Sequence, residues 1–257
     1  MRAIRVHESG GIDTMRLDEI PRPVPEAREL LVAVKAAGVG PWDRLVREGQ
    51  GLGQALPLTL GSDISGTVAA LGVGVGVFAL GDAVYGATND QFVGGYAEYA
   101  LVEANKVALK PAALDYVTAA GLPVVAVTAW QMLFEYARIE AGQAILVRGA
   151  AGSVGACATQ MAKEAGASVY GTARTRDIER VRALGAEPIV EGDRVGAQLA
   201  SRPLDGVIDT IGGDALESTC DALRPNGIIV SIVRPPDEAY VRSGLTWVEN
   251  DLTRCRL

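Results

Sequence analysis

Ala144-Ile-Leu-Val-Arg148 runs into Gly149-Ala-Ala-Gly152-Ser-Val-Gly155, a helical run continues to Ala165, and Ser168-Val-Tyr-Gly-Thr-Ala173 ends at Arg174. This is an apolar strand, a glycine-rich turn, a helix and a second strand. The order carries more information than the glycines do. Unpaired N–H groups and the helix dipole at a helix N-terminus attract a phosphate. Glycine lets the backbone approach a pyrophosphate and lets the helix pack on the strand. A glycine-rich turn between a strand and a helix, followed by a second strand, points to a dinucleotide site. Aligned on Gly152 and Gly155, the first glycine of the common G-x-G-x-x-G spacing becomes Ala150, with Gly149 just before it. The alternative is an ordinary tight turn of an α/β domain with no ligand.

Strand and helix keep alternating beyond this stretch. Glu187–Val190, Gly206–Asp209, Gly227–Val233 and Leu245–Val248 read as strands, and Asp177–Leu184, Val195–Ala200 and Ala215–Leu223 as helices. Such alternation implies parallel strands joined by crossover helices. Upstream the rhythm differs. Ala3–Val6, Leu30–Ala37, Ser65–Leu71, Ala83–Tyr85 and Tyr96–Val102 are short strands separated by Gly and Pro, which suggests a small β-barrel-like domain. The change comes near Leu114, where Asp115–Ala120 and Ala126–Arg138 read as helices.

Charge and composition narrow the function. The 257 residues are 49% hydrophobic and 21% charged, enough to bury a sizeable core. A net charge of -7 argues against a nucleic-acid partner, which would need a basic field. Val117–Phe134 is the most apolar stretch, but Gly121 and Pro123 make it a turn and a buried helix, so no membrane partner is expected. The start of the chain has no apolar signal region, and Cys157, Cys220 and Cys255 form no C-x-x-C. Both features lead us to expect a reducing, cytoplasmic setting. His7 is the only histidine, which disfavours a Ser-His-Asp or Cys-His device. No His/Cys/Glu group has metal-ligand spacing, so no metal is expected. No tyrosine is followed four positions later by lysine.

Arg174 stands where NAD-specific folds place an acid for the ribose 2′-hydroxyl. Arg174 and Arg176, with Thr175 between them, suit a 2′-phosphate, because guanidinium binds phosphate through paired, charge-assisted hydrogen bonds. This favours NADPH over NADH. The alternative is two solvated arginines paired with Asp177 and Glu179. Asp209–Gly213 and Ser231–Val233 close the fourth and fifth strands. Ligands bind beyond such strand ends, so Ile211 and Val233 are expected beside the ribose–nicotinamide half.

The sequence resembles the quinone oxidoreductase-like, zinc-independent branch of the medium-chain dehydrogenases/reductases. The matching stretches are Ala36-Ala-Gly-Val-Gly-Pro-Trp-Asp43, Leu60-Gly-Ser-Asp-Ile-Ser-Gly66, Gly81-Asp-Ala-Val-Tyr-Gly86, Gly94-Gly-Tyr-Ala-Glu-Tyr-Ala100, Leu122–Trp130 and Gly149–Gly155, in the family's order. The resemblance implies an α/β chain: a GroES-like β-barrel domain at 1–116 and a doubly wound, parallel-sheet Rossmann domain at 117–257. It implies reduction of a quinone or another α,β-unsaturated carbonyl by NADPH. The expected cofactor residues are Thr128, matched to a family threonine, together with Gly149, Ala151, Gly152, Ser153, Val154, Arg174, Arg176, Ile211 and Val233. Trp42, Tyr85 and Asn89 are expected to line the substrate pocket, and no residue is singled out as a catalyst. Zinc-containing relatives carry Gly-His-Glu where this chain has Gly61-Ser-Asp63, and a cysteine near Gly40. Many quinone reductases have Asn-Pro where it has Gly40-Pro41, and the tyrosine usual after the third strand is absent at Glu191-Gly192. The family's usual C-terminal return to the first domain is expected to be missing. A homodimer is expected through the Leu245–Val248 edge strand. The competing reading is a non-catalytic NADPH-binding protein or an inactive shortened homologue.

Overall fold

The computed structural model describes residues 1–51, 53, 55–192, 194–213, 216–233 and 246–249. Backbone contacts divide the chain into two compact units, one built from Met1–Val127 and one from Thr128 onward. Ala215, Leu245 and the stretch 251–257, all used in the sequence reading, lie outside the described residues.

The first unit is all antiparallel sheet with short helices. Its strands are β1 (Arg2–Val6), β2 (Met15–Glu19), β3 (Glu29–Ala37), β4 (Leu58–Thr59), β5 (Asp63–Leu71), β6 (Ala83–Ala87), β7 (Tyr99–Glu103) and β8 (Val107–Leu109). They form a three-stranded sheet, β2-β1-β4, and a five-stranded sheet, β7-β3-β5-β6-β8. Alternation along β3 and β5 turns Leu30, Val32, Ile64 and Val68 inward onto Val84 and Val102, which together make the barrel core. Helix α1 (Pro41–Arg47) was not legible in the sequence. It has no capping side chain at Gly40; Pro41 opens it, and the Asp43 carboxylate reaches back to accept the Gly40 N–H at 2.7 Å. Helix α2 (Tyr116–Ala120) is capped by Asp115, which accepts the Thr118 N–H at 2.7 Å. It packs on β3 and β5. Helix α3 (Pro123–Trp130) starts at a proline and continues as a π-helical stretch, Gln131–Tyr136. The division between the units falls inside α3, later than the expected 116/117, because α2 and the start of α3 pack on the barrel: Val124 N–H donates to Asp63.

The second unit is a parallel sheet. Its strands are β9 (Ala144–Arg148), β10 (Ser168–Ala173), β11 (Glu187–Val190), β12 (Leu204–Asp209), β13 (Leu223–Ser231) and β14 (Thr246–Glu249). All neighbours run parallel, in the order β11-β10-β9-β12-β13-β14. The apolar runs fit this, since a parallel sheet is covered on both faces. Helix α4 (Ser153–Glu164) sets Ala158 and Ala162 on Ile145, Val147 and Val169. On the opposite face Leu146, Val207 and Ile229 meet Val195 and Leu199 of α6 (Val195–Leu199) and Cys220 of α7 (Glu217–Cys220). Helix α5 (Ile178–Ala183) covers β10 and β11. The strand order reverses between β9 and β12, and a doubly wound sheet opens a crevice at such a reversal, beyond the carboxyl ends of the strands.

Candidate functional site: a dinucleotide cavity at the strand reversal

The turn after β9 is shaped by close backbone approach. Gly149 has φ +74°, in the left-handed region, and a Cβ there would sit 2.5 Å from Thr210 Oγ1. A Cβ on Gly155 would sit 2.1 Å from the Gly149 carbonyl oxygen, so α4 packs against the turn only because that position is bare. Side chains from the flanking strands hold the turn. Gly149 N–H donates to Thr172 Oγ1 at 3.0 Å, and Thr210 Oγ1 donates to the Arg148 carbonyl at 2.7 Å. Ala150 N–H donates to the Thr172 carbonyl at 3.0 Å. Gly152 is the N-cap of α4 and offers no side chain to the first-turn amides, so the N–H groups of Ser153 and Val154 have no capping partner.

Above the turn lies a cavity of about 390 Å³. Its wall includes Gly149, Ala151, Gly152, Arg174 and Ile211, which the sequence reading had singled out. Thr210, from the expected Asp209–Gly213 segment, also lines it, as do Thr172, Asp177 and Glu191, which were not anticipated. Ser153 and Val154 follow directly in the first turn of α4. Arg176 is outside this wall; its side chain is 74% exposed and its Nε lies 3.5 Å from Asp177. Thr128 is buried in α3, and Val233 is half-exposed beyond β13, its N–H donating to Ser231 Oγ at 3.1 Å.

Beneath the cavity sits a group that sequence reading did not find. Arg148, the last residue of β9, is fully buried. Its Nη1 donates to Asp209 Oδ1 at 2.8 Å and to the Gly212 carbonyl at 3.1 Å, and its Nη2 donates to Glu191 Oε1 at 3.0 Å. Asp209 also accepts from Ser231 Oγ at 2.7 Å and from the Gly212 N–H at 3.1 Å. One guanidinium thereby joins the ends of β9, β11 and β12.

The first unit carries a different cluster around its own matched motifs. Asp63 is buried and accepts the Val124 N–H at 3.2 Å. Burial pushes its carboxyl up to about 8, against the pull of that amide and with a further push from Asp43. Burial also raises Asp43, although the Gly40 N–H and the Tyr96 hydroxyl, donating at 2.9 Å, favour its charged form. Tyr96 is raised by its own burial and by Asp43. Trp42 Nε1 donates to Ser62 Oγ at 2.9 Å, and its ring packs 6.3 Å from that of Phe92. Asn89 is engaged within its own loop: it donates to the Val93 carbonyl at 2.9 Å and accepts from the Gln91 N–H at 3.0 Å. Tyr85 is half-buried in β6, opposite Ser65 of β5, on the face away from the core residue Val84. Trp42 and the Asn89 loop thus meet through Phe92. Among the described residues, no group of three or more His, Cys, Asp or Glu is placed to hold a metal ion, and no helix is long and apolar enough to cross a membrane.

Comparison with known proteins agrees with both units. Residues 26–112 match the alcohol dehydrogenase GroES-like domain, and residues 153–248 match the zinc-binding dehydrogenase family. The quinone oxidoreductase of Lama guanicoe is 34% identical over 256 residues, covering 96% of this chain and 77% of that protein. The chain belongs to the quinone oxidoreductase family of medium-chain dehydrogenases/reductases. Among solved structures, the quinone oxidoreductase from Coxiella burnetii superposes with a TM-score of 0.86 at 31% identity, covering 98% of this chain and 83% of that one. A mycobacterial protein complexed with NADPH superposes with a TM-score of 0.87 at 28% identity, covering 99% of this chain and 84% of that one. This member of the quinone oxidoreductase family therefore has the GroES-like and Rossmann-type units of an NAD(P)H oxidoreductase.

The cavity fits such a dinucleotide by its own features: bare glycines where a Cβ would collide, uncapped first-turn amides, and a guanidinium at the end of β10. Thr172 and Thr210 carried a signal that could have been used. Both are hydroxyl residues at the carboxyl ends of strands flanking the glycine turn, where a side chain can bond the turn's backbone.

Proposed function

We propose that this chain reduces a quinone or another α,β-unsaturated carbonyl with NADPH, without zinc. The observation that carries the reading is the cavity at the β9/β12 reversal, which joins the bare Gly149–Gly152 turn to Arg174. When bound, NADPH supplies the hydride. The chain's own part is to hold it. The first-turn amides of Ser153 and Val154, with Gly149, Ala151 and Gly152, would take the pyrophosphate. Arg174 would take the 2′-phosphate, with Arg176 as a second, more solvated cation; Ile211, Val233 and Thr128 would border the nicotinamide side. Trp42, Tyr85 and Asn89 are proposed to line the substrate side. Such residues orient the reactants and exclude water rather than exchange protons.

The zinc-free reading rests on the residues themselves. Ser62 stands where zinc relatives place His, no cysteine lies near Gly40, and Asp63 is bonded to the Val124 amide. A resident zinc does not fit this set. We further propose a homodimer through the edge strand β14, the described part of the expected 245–248 segment, and a reducing cytoplasmic setting.

Equilibrium binding of NADPH and NADH, followed by NADPH oxidation with a simple quinone, tests the reading. NADPH should bind at least tenfold more tightly than NADH, and Arg174→Asp should remove that preference through lost phosphate pairing. Equal affinities would overturn the 2′-phosphate assignment. Binding without turnover across quinones and enones would leave a dinucleotide-binding protein that is not an enzyme. Metal analysis of the purified protein should find less than stoichiometric zinc.

A further inference from the structure

The cavity wall is more acidic than a site for an anion should be. Asp177 and Glu191 line it, with Arg174 as the only basic residue in the wall among the described residues, and Asp209 holds the 211–212 turn beneath. Asp177 has Arg176 beside it at 3.5 Å. Asp209 and Glu191 share Arg148, which is fully buried and reaches both. Among the described residues, Arg148 is the only side chain that donates to Glu191, whose second oxygen is buried without a hydrogen-bond partner. Glu191 also sits next to the predicted phosphate contact: its N–H donates to the carbonyl of Ala173 at 2.9 Å, and Arg174 follows Ala173. A bare carboxylate there would repel a phosphate on the adenosine ribose. At a separation of about 4 Å, one such charge costs roughly fivefold in affinity even in bulk water, and more in a less polar medium.

We propose that Arg148 is the positioning residue that makes this cavity accept an anion: by pairing with Glu191 and Asp209 it offsets one of their two charges under the bound dinucleotide and so sets the preference for a ligand phosphorylated on the adenosine ribose. The inference rests on the NADPH reading and adds a determinant of specificity that touches no ligand. Two roles are joined in one side chain. The fork fixes the ends of three strands, and the positive charge pairs with two carboxylates and halves the net charge that a dinucleotide phosphate must approach.

Calorimetric titration with 2′,5′-ADP and with adenosine separates charge from shape, since both carry the same base and ribose. In Arg148→Met, 2′,5′-ADP should bind at least tenfold more weakly, while adenosine changes less than threefold. Adding Glu191→Gln to Arg148→Met should restore most of the loss, because the carboxylate that lines the wall is then gone and the net charge returns to that of the wild type. Arg148→Lys should keep the ligand ratio within threefold of wild type. Should Arg148→Met not fold, Glu191→Gln alone decides: it leaves Arg148 balanced by Asp209 and removes the uncompensated negative charge, so 2′,5′-ADP should tighten severalfold relative to adenosine. Equal weakening of both ligands in Arg148→Met, no rescue by Glu191→Gln, or an unmoved ratio in Glu191→Gln alone would each overturn the inference. A wild-type protein that binds NADPH with an unmoved variant ratio defeats this inference alone. One that binds neither NADPH nor 2′,5′-ADP defeats the cofactor reading itself.

Discussion

Each unit of this molecule holds a pair of carboxylates at least partly out of water, and the two pairs are managed in opposite ways. In the Rossmann-type unit, Asp209 and Glu191 share the buried guanidinium of Arg148. In the GroES-like unit, the donors to Asp63 and Asp43 among the described residues are neutral, and include the Val124 and Gly40 amides and the Tyr96 hydroxyl. The outcome follows from elementary electrostatics. A buried charge needs either a counter-charge or a proton. The first pair has the counter-charge. The second takes the proton, with Asp63 pushed up to about 8 by burial. One pair is therefore sensitive to the loss of a single side chain, and the other to the pH of the solution.

Removing the counter-charge should break the contrast most sharply. Arg148→Met leaves the buried Asp209 and the partly exposed Glu191 without their cation and should cost about 3–5 kcal/mol in chemical denaturation. The triple change that adds Asp209→Asn and Glu191→Gln should recover most of that loss. The acid pair of the barrel gives the next effect. Asp63 titrates near 3.8 unfolded and about 8 folded, so between those values the folded chain keeps a proton that the unfolded chain has lost. Its contribution to stability is therefore complete below about pH 4, falls by up to about 1.4 kcal/mol per pH unit towards pH 8, and levels off above. Asp63→Asn removes that slope, and urea midpoints of the two proteins measured from pH 5 to pH 9 should converge at the acid end and separate at the basic end. A midpoint difference that does not change with pH would remove the proton from this account. Tyr96→Phe deletes one hydrogen bond to Asp43 and should cost about 1–2 kcal/mol. Thr172→Val leaves the Gly149 N–H without its acceptor and should cost about 1 kcal/mol, together with a severalfold weaker NADPH affinity by titration.

These pairs also mark where the sequence was legible. The strand–turn–helix–strand at Ala144–Arg174 is local, and it forms the strands, turn and helix that its pattern predicts. The alternation that follows predicts a parallel sheet, and β9–β14 are parallel. A charge at the end of an apolar strand reads as a residue entering solvent. Arg148 does the reverse because its partners come from 43 and 61 residues downstream, and only the folded sheet brings them together. The same holds for Asp43, whose tyrosine partner lies 53 residues away. Helix α1 escaped notice because its cap comes from Asp43 at its third position and not from a side chain at Gly40. Among the expected cofactor residues, Gly149, Ala151, Gly152, Arg174 and Ile211 line the cavity. Arg176 does not, because the chain turns into a 3-10 helix at Thr175–Asp177 and leaves its side chain in solvent.

The Gly149 turn, held by Thr172 on one side and Thr210 on the other, has one more consequence. A loop already fixed in its receiving shape has little disorder left to lose when a ligand arrives. Arrival should then be paced by diffusion and by the field around the cavity rather than by rearrangement of the turn. Whichever dinucleotide the chain takes, selection would be exercised after the encounter, in how long each candidate stays.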